Sequence, residues 1–189
     1  NQSDLSKVLK NELISKLNLN FSFSKDLNYN FFPRPHFVST QVSIFDNNEE
    51  ISKVKKIKIF ISIKNLISLR NIELQDVVLD NANFNIDKKN YDIFTKLLDN
   101  SFLFGDFKIK NSNIFFRDIN QEVLFINKII EMKYFFDNNE LKNIIIANNE
   151  IFNIPHEIKI FKDEKQKKIY SKLKFNYFKL QVENELNYN

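Results

Sequence analysis

Apolar and polar residues alternate along most of this chain with a period of two. The alternating segments begin near Leu19 and recur as far as Val182, separated by short polar stretches. Because successive side chains of a β-strand point to opposite faces of a sheet, each segment predicts a strand with one apolar and one solvated face. The positions on the predicted apolar faces are Leu19, Phe21, Phe23, Leu27, Tyr29, Phe31, Val38, Thr40, Val42, Ile44, Ile57, Ile59, Ile61, Ile63, Phe107, Ile109, Ile114, Phe116, Ile130, Met132, Tyr134, Phe136, Ile158, Ile160, Leu173, Phe175, Phe178, Leu180 and Val182.

Two segments have helical spacing instead. Residues 4–17 predict an amphipathic helix, with Ser3 as its N-cap, and residues 91–98 predict a short second helix. The apolar residues that recur every three or four positions are Leu5, Val8, Leu9, Leu13 and Leu17 in the first segment and Tyr91, Phe94, Leu97 and Leu98 in the second.

Short polar breaks separate the predicted strands. They lie at residues 25–26, 46–48, 111–113, 138–139 and 148–149, and successive strands joined in this way predict an antiparallel meander. About ten strands are too many for a flat open sheet, so we expect it to curl with its apolar face inside. The chain is therefore interpreted as one mainly β domain over residues 1–189, either a barrel or a trough whose mouth is covered by helices.

The composition changes this picture in one respect. The chain has a single glycine, Gly105, and asparagine is its commonest residue. Turns that need positive φ usually take glycine, and asparagine is the natural substitute. The abundance of Asn, Lys, Ile, Phe and Tyr is typical of an A/T-rich genome, but we still expect the asparagines to occupy the turns.

Few residues suggest catalysis. The absence of Cys excludes disulfides, thiol catalysis and Cys-ligated zinc, and one glycine is too few for a phosphate-binding loop. His36 and His156 could bind a metal together with Glu157, but two unrelated histidines are the simpler interpretation. The sequence therefore predicts a protein that is not an enzyme and has no cofactor.

The net charge of +4 comes almost entirely from Lys, with only Arg34, Arg70 and Arg117 as arginines. Aromatic residues interleaved with lysines can bind single-stranded nucleic acid by stacking. Here the two residue types alternate along strands, so we expect them on opposite faces and predict no nucleic-acid partner. No apolar run reaches the roughly 18 residues of a membrane span.

The continuous apolar face has two interpretations, a sealed hydrophobic core and an open groove that accepts acyl chains. The groove hypothesis singles out ten residues of four segments. They are Ile57, Ile59, Ile61, Phe107, Ile109, Ile114, Phe116, Phe175, Leu180 and Val182.

The order of the segments resembles the N-terminal region of the AsmA family. A leading helix and strand are followed by Pro33-Arg34-Pro35 with alternating apolar residues, then by a Lys- and Ile-rich strand and a Leu-rich turn at residues 66–69. An I-x-L stretch at residues 72–86, a short helix and residues 111–118 complete the pattern, which covers nearly the whole chain. Residues 111–113 read Asn-Ser-Asn where the family often has glycine, and asparagine can adopt the same left-handed conformation.

This resemblance implies a Gram-negative envelope protein with a periplasmic β-rich body. It implies an inner-membrane anchor upstream of Asn1, and a curled sheet that conducts phospholipid acyl chains in outer-membrane assembly and lipid homeostasis. Two alternatives remain open at this stage. One is a structural module that binds envelope proteins by edge-strand addition around a closed core, and the other is a hydrolase acting on an envelope polymer.

Overall fold

In a computed structural model, eleven strands of the chain form one sheet and two helical segments lie against it. The structure describes residues 2–24, 27–62, 64, 72–99, 105–163 and 165–188. The predicted turns at residues 25–26 and 66–69 lie outside these residues. The elements are α1 (Gln2–Leu17), β1 (Asn20–Phe23), β2 (Asn28–Asn30), β3 (His36–Asp46), β4 (Glu49–Ile61), β5 (Leu74–Ile86), α2 (Ile93–Lys96), a 3-10 turn (Leu97–Asp99), β6 (Phe107–Arg117), β7 (Val123–Asp137), β8 (Lys142–Ile151), β9 (Ile154–Asp163), β10 (Lys168–Phe175) and β11 (Leu180–Asn187).

The strands follow chain order across the sheet. The order is β1-β3-β4-β5-β6-β7-β8-β9-β10-β11, with β2 paired beside β1 on β3. This confirms the predicted mainly β fold with a leading helix and a short second helix. The sheet is not closed, because β1 and β2 form one edge and β11 the other, so the fold is an open trough rather than a barrel.

One strand pair departs from the predicted antiparallel meander. β5 and β6 run parallel, with Val77 opposite Phe107 and Ile86 opposite Phe116. A parallel pair needs a crossover connection of a dozen or more residues, and residues 87–106, which contain α2 and the 3-10 turn, supply it. The helical spacing at residues 91–98 therefore belongs to the crossover between these two parallel strands.

The crossover shows how strongly the sheet curls. Lys96 donates to Asp46 at the end of β3, while Asp99, less than one helical turn further on, accepts from Lys162 of β9. β3 and β9 are six strand spacings apart in the sheet order, which is roughly 29 Å in a flat sheet. One short helical segment can reach both strands only because the sheet curls around it.

Backbone kinks contribute to the curl. Gln41, Asn81 and Asn111 have φ of 56°, 59° and 50°, and they follow one another on β3, β5 and β6 beside the same transverse row of the sheet. The strand register is the same on both sides of each residue, but a left-handed residue departs from extended backbone geometry and therefore kinks its strand. The expected left-handed conformation of Asn111 is thus confirmed, but the predicted break at residues 111–113 is wrong because β6 continues through it.

Asparagine does substitute for glycine in this chain. Among the described residues twelve non-glycine positions have positive φ, and six of them are Asn18, Asn47, Asn48, Asn81, Asn111 and Asn153. The turn at residues 46–48 is confirmed, and residues 138–139 lie in the turn between β7 and β8. The break expected at residues 148–149 is wrong: both lie inside β8, where the register with β7 shifts.

The single glycine lies where two backbone segments approach each other too closely for any side chain. Gly105 has a φ of 155°, and a Cβ on this residue would lie 1.5 Å from the carbonyl oxygen of Gln75. Its neighbour Asp106 accepts from the Val77 amide and donates its own amide to Asp76. Glycine therefore lets the chain approach β5 closely enough for β6 to begin in parallel register.

The leading helix covers the start of the trough. Leu9, Leu13 and Leu17 are fully buried and belong to the same core cluster as the apolar side chains of the sheet. The predicted apolar spacing is confirmed for these three leucines. The helix begins at Gln2 rather than at residue 4, so Ser3 lies in its first turn and not at the N-cap.

Candidate functional site

Most of the apolar positions predicted from the alternation lie on one face of the sheet, here called the inner face. The prediction is wrong for Val38 and Thr40, which pair with Lys58 and Lys56 on the opposite face, and Ile63 lies outside the described residues. The registers of neighbouring strands link its residues into transverse rows. One such row crosses nine strands from β3 to β11: Ser39, Ile57, Leu79, Ile109, Met132, Ala147, Ile158, Leu173 and Val182. Apart from Ser39, every residue of this row is apolar, so an apolar floor crosses the trough from β4 to β11.

Burial along this row falls steadily towards the C-terminal edge. Ile57, Leu79 and Ile109 are completely buried, and Ala147 on β8 is 3% exposed. Ile158 and Leu173 on the next two strands are half-buried, and Val182 on β11 is 48% exposed. The same apolar face is thus a sealed core at one end of the sheet and an open surface at the other.

The position of the helical segments explains this gradient. The core cluster contains Leu13 of α1 and Ile93 and Leu98 of the crossover segment, and it extends along the sheet to Ala147 of β8. Asn143 of β8 donates to the carbonyl of Leu98 at 2.7 Å, which places the crossover over that strand. Among the described residues, no side chain of β10 or β11 belongs to the core cluster.

Lys96, which holds the crossover segment on β3, forms ion pairs with two carboxylates. Lys96 Nζ lies 3.0 Å from Asp46 and 3.2 Å from Asp92. The hydrogen bond to Asp46, and after it the one to Asp92, raise the pKa of Lys96 above its usual value against the opposing effect of burial. This pair fixes the cover at the sealed end of the trough.

The ten predicted groove residues divide between the two ends. Six are buried in the core: Ile57, Ile59, Ile61, Phe107, Ile109 and Ile114. Phe116 and Phe175 are half-buried, and Leu180 and Val182 are about half exposed. A ligand could therefore reach the C-terminal members of the set without displacing the helices, but not the six in the core.

The open end is wider than the sequence predicted. Leu186 of β11 is 55% exposed on the same face as Leu180 and Val182. Ile169 of β10 lies opposite Leu186 and is half-buried. The alternation after Val182 is broken by Asn184, which is why Leu186 did not stand out in the sequence.

Three polar side chains interrupt the apolar floor near the point where it becomes open. Asn127 of β7, Asn149 of β8 and His156 of β9 are 7%, 4% and 7% exposed, and Asn149 lies directly opposite His156. The Oδ1 atoms of both asparagines are buried without a hydrogen-bond partner. Sequence reasoning missed this group because it assigned residues 148–149 to a turn.

The outer face carries most of the lysines, and many of them are paired with acids. Lys110 pairs with Glu131 at 3.2 Å and Lys172 with Glu183 at 3.1 Å. The expectation that aromatic rings point away from the lysines is wrong for part of this face. Phe135 and Phe161 both lie there, with Lys133 4.5 Å from the centre of the Phe135 ring.

The outer face also has an apolar area that the strict alternation did not predict. It includes Ile130, whose predicted place on the inner face is wrong because the register shifts between Ile129 and Glu131. Leu124, Ile126, Ile130 and Ile146 are between 40% and 63% exposed. Phe161 and Tyr170 stack beside this area, with ring centres 4.8 Å apart. β7 and β8 therefore have apolar side chains on both faces.

The Pro-Arg-Pro-His segment has a clear structural role. Arg34 forms an ion pair with Asp76 of β5 and lies 4.5 Å from the centre of the Phe60 ring. His36 stacks on the Phe60 ring, with the two ring centres 5.0 Å apart. Its Nδ1 donates to the Arg34 carbonyl at 2.7 Å. The segment thus fastens the start of β3 to β4 and β5.

The residues of the hypothetical metal site do not come together. His36 lies on β3 and His156 on β9, six strands away in the sheet order. Glu157 follows His156 in the strand, so the two side chains point to opposite faces. In the described part of the chain, no group of three His, Asp or Glu residues could hold a metal ion.

These features define an open, curled and mainly antiparallel β-sheet with an apolar inner face that is only partly covered. Comparison of the sequence with protein-family models and with curated proteins found no match. Within the described residues, no helix has both the length and the apolar character needed to cross a lipid bilayer.

Proposed function

We propose that this chain is a non-catalytic domain that holds acyl chains on the open end of its inner face, in the manner expected of an AsmA-like periplasmic protein. The observation that carries the proposal is the fall in burial along one transverse row, from Ile57 at 0% to Val182 at 48% exposure. A hydrophobic core that served stability alone would end where its cover ends, whereas this apolar floor continues for three more strands.

The energetics favour an apolar occupant. Each methylene that moves from water into contact with this floor contributes about 0.8 kcal/mol. The floor beyond β8 offers the half-buried Ile158 and Leu173 next to the exposed Val182. An acyl chain lying across these strands would complete their burial without any change in the sealed part of the core.

Location and partners follow from the same proposal. The order of sequence segments supports a place on the periplasmic face of the inner membrane of a Gram-negative bacterium, with a role in phospholipid transport and outer-membrane assembly. The proposed function needs no cofactor and no nucleic-acid partner. An anchor upstream of Asn1 and partner proteins of the envelope complete the proposal.

Photocrosslinking tests the proposal directly. A diazirine-bearing amino acid is placed at Leu180 on the inner face, and separately at Gln181 on the outer face of the same strand. Leu180 is expected to label co-purified or added phospholipid, identified by mass spectrometry, and Gln181 is not. Equal labelling from both positions, or labelling from neither, would contradict the proposal.

A second candidate function rests on a different observation. β11 is an edge strand whose eight residues are all exposed, and it pairs only with β10 among the described strands. An extended segment of an envelope protein could add to this edge by backbone hydrogen bonds. Glu183 and Glu185 alternate on its outer face, so a suitable partner strand carries lysines at alternate positions.

A peptide with the sequence of β10, KIYSKLKF, is the probe for this second function, because β10 already pairs with β11 in this pattern. The double substitution Glu183→Lys and Glu185→Lys is expected to abolish peptide binding and leave acyl-chain binding unchanged. The acyl-chain proposal predicts the reverse for polar substitutions of Leu180 and Val182, so the two functions can be separated.

A further inference from the structure

The polar residues in the apolar floor point to the kind of ligand that the trough accepts. We infer that Asn127, Asn149 and His156, here called the polar seat, bind an uncharged hydroxyl group of the ligand whose acyl chain lies on the open end. This inference rests on the proposed function, because it assumes an acyl-chain ligand and adds the chemistry of its polar end.

The two asparagines need a partner that the described chain does not provide. Both Oδ1 atoms are buried without a hydrogen bond, and each such atom costs about 1–3 kcal/mol of desolvation. The contrast with Ser112, in the same transverse row on β6, is informative. The Ser112 hydroxyl is fully buried too, but it accepts from the Ala82 amide and donates to the Lys110 carbonyl.

The third member of the seat adds another acceptor. His156 Nδ1 lies 3.4 Å from the Ile154 carbonyl. Because a carbonyl can only accept, Nδ1 carries the proton in this contact, and in the neutral ring Nε2 is then an acceptor. The seat therefore presents three acceptor atoms, which call for a donor on the ligand.

The position of the seat suits the polar end of an acyl ligand. The transverse row through Asn149 continues to His156 on β9 and then to Phe175 on β10, whose ring centre is 5.2 Å from that of His156. Burial ends along this row as it does along the row through Val182, since Leu180 on β11 is 49% exposed. A chain lying across β10 and β11 thus has its end beside the seat.

The surrounding charges argue for a neutral group rather than a phosphate. Phosphate is normally held by Arg or Lys. Among the described inner-face residues of β6 to β11, the one charged side chain is Lys162, which is already paired with Asp99. Lys162 lies opposite Asn143, which is six residues, or about 20 Å, along β8 from Asn149.

A hydroxyl fits the seat better than an ammonium group. The oxygen and nitrogen of an asparagine amide can exchange places by a flip of the side chain. A hydroxyl both donates and accepts, so it satisfies either orientation, while an ammonium group satisfies only one. The expected ligands are therefore amphiphiles with a free hydroxyl close to the acyl chain, such as monoacylglycerols.

Three probes with the same oleoyl chain test this inference. They are monoolein, which has free hydroxyls, methyl oleate, which has none, and 1-oleoyl lysophosphatidate, which carries a phosphate. Each competes with a pyrene-labelled acyl chain below its critical micelle concentration. Monoolein is expected to bind about 5- to 10-fold more tightly than methyl oleate, as one or two hydrogen bonds allow. Lysophosphatidate is expected to bind no more tightly than monoolein.

Substitutions assign the preference to the seat. Asn149→Leu is expected to reduce the ratio between monoolein and methyl oleate to below twofold, and a circular-dichroism spectrum like that of the unchanged protein shows that the variant is folded. Asn127→Leu is expected to act in the same direction. Asn148→Leu, on the outer face of the same strand, is the matched control and is expected to keep the full ratio.

The outcomes separate the two proposals. Equal binding of monoolein and methyl oleate by the unchanged protein would overturn the inference and assign the seat to a buried water molecule. A ratio that survives Asn149→Leu would overturn it as well. If none of the three probes binds, the acyl-chain function itself fails.

Discussion

The open end of the trough gives the sharpest quantitative prediction. Leu180, Val182 and Leu186 are 49%, 48% and 55% exposed. Full burial of such a side chain contributes about 1.5–3 kcal/mol, so covering the exposed half of each contributes roughly 1 kcal/mol and all three together roughly 3 kcal/mol. Val182→Lys removes one of these contributions and brings an ammonium group to the floor, which has to stay hydrated.

We therefore expect Val182→Lys to weaken acyl-chain binding by about 1–2 kcal/mol, or roughly 5- to 30-fold. The assay is a fluorescence titration with a pyrene-labelled acyl chain. Gln181→Lys is the control, because it introduces the same charge one residue away on the outer face. Both positions are exposed on an edge strand, so neither change should alter the free energy of unfolding by more than about 0.5 kcal/mol.

The comparison of Val182→Lys with Gln181→Lys decides whether the acyl chain lies on the inner face of β11. If Gln181→Lys weakens binding as much as Val182→Lys, the effect is a general one of charge and the inner face is not the binding surface. If Val182→Lys binds as the unchanged protein does, the acyl chain does not lie on β11.

Three further predictions concern the fold that supports this surface. Gly105→Ala is expected to lower the free energy of unfolding by about 3 kcal/mol or more in urea denaturation, because its Cβ would overlap the Gln75 carbonyl; a change below 1 kcal/mol would contradict the close approach. Lys96→Met is expected to cost about 1 kcal/mol or less, since the Lys96 side chain is 35% exposed and its pair with Asp46 is partly screened. The folded-state pKa of Lys96 is raised, so this contribution is present below about pH 10.5 and is lost as the pH rises through the raised value; thermal unfolding at pH 8 and pH 11 should show the difference from Lys96→Met shrinking at the higher pH. Asn111→Val is expected to cost about 1–2 kcal/mol and Asn111→Gly clearly less, as measured by thermal unfolding, because the left-handed conformation penalises a β-branched side chain; equal losses for the two variants would show that the loss of the asparagine side chain, and not φ, is responsible.

The sequence by itself determined the class of fold. Period-two alternation follows from the geometry of a single strand, so it can be read without knowing which strands are neighbours. The leucine spacing of α1 and the use of asparagine at positive φ, as at Asn47 and Asn111, are local in the same sense. These features were correctly predicted because each depends on the conformation of a few consecutive residues.

Strand pairing was decided by the tertiary structure. A strand pattern is the same in parallel and antiparallel pairs, so nothing in the alternation of β5 and β6 shows that they run parallel. The left-handed kink at Asn111 and the register shift near Asn149 looked like turns because asparagine is common both in turns and at irregular positions inside strands. A partner strand has to be in place before the two can be distinguished.

The same limit applies to the candidate site. Ile57 and Val182 have equivalent places in the alternation and lie in one transverse row, yet one is completely buried and the other half exposed. The difference arises from how far α1 and the crossover segment reach over the curled sheet, which depends on contacts between residues distant in sequence. The sequence determined that an apolar face exists, and only the packing of the helices on the curled sheet decided which part of it remains open.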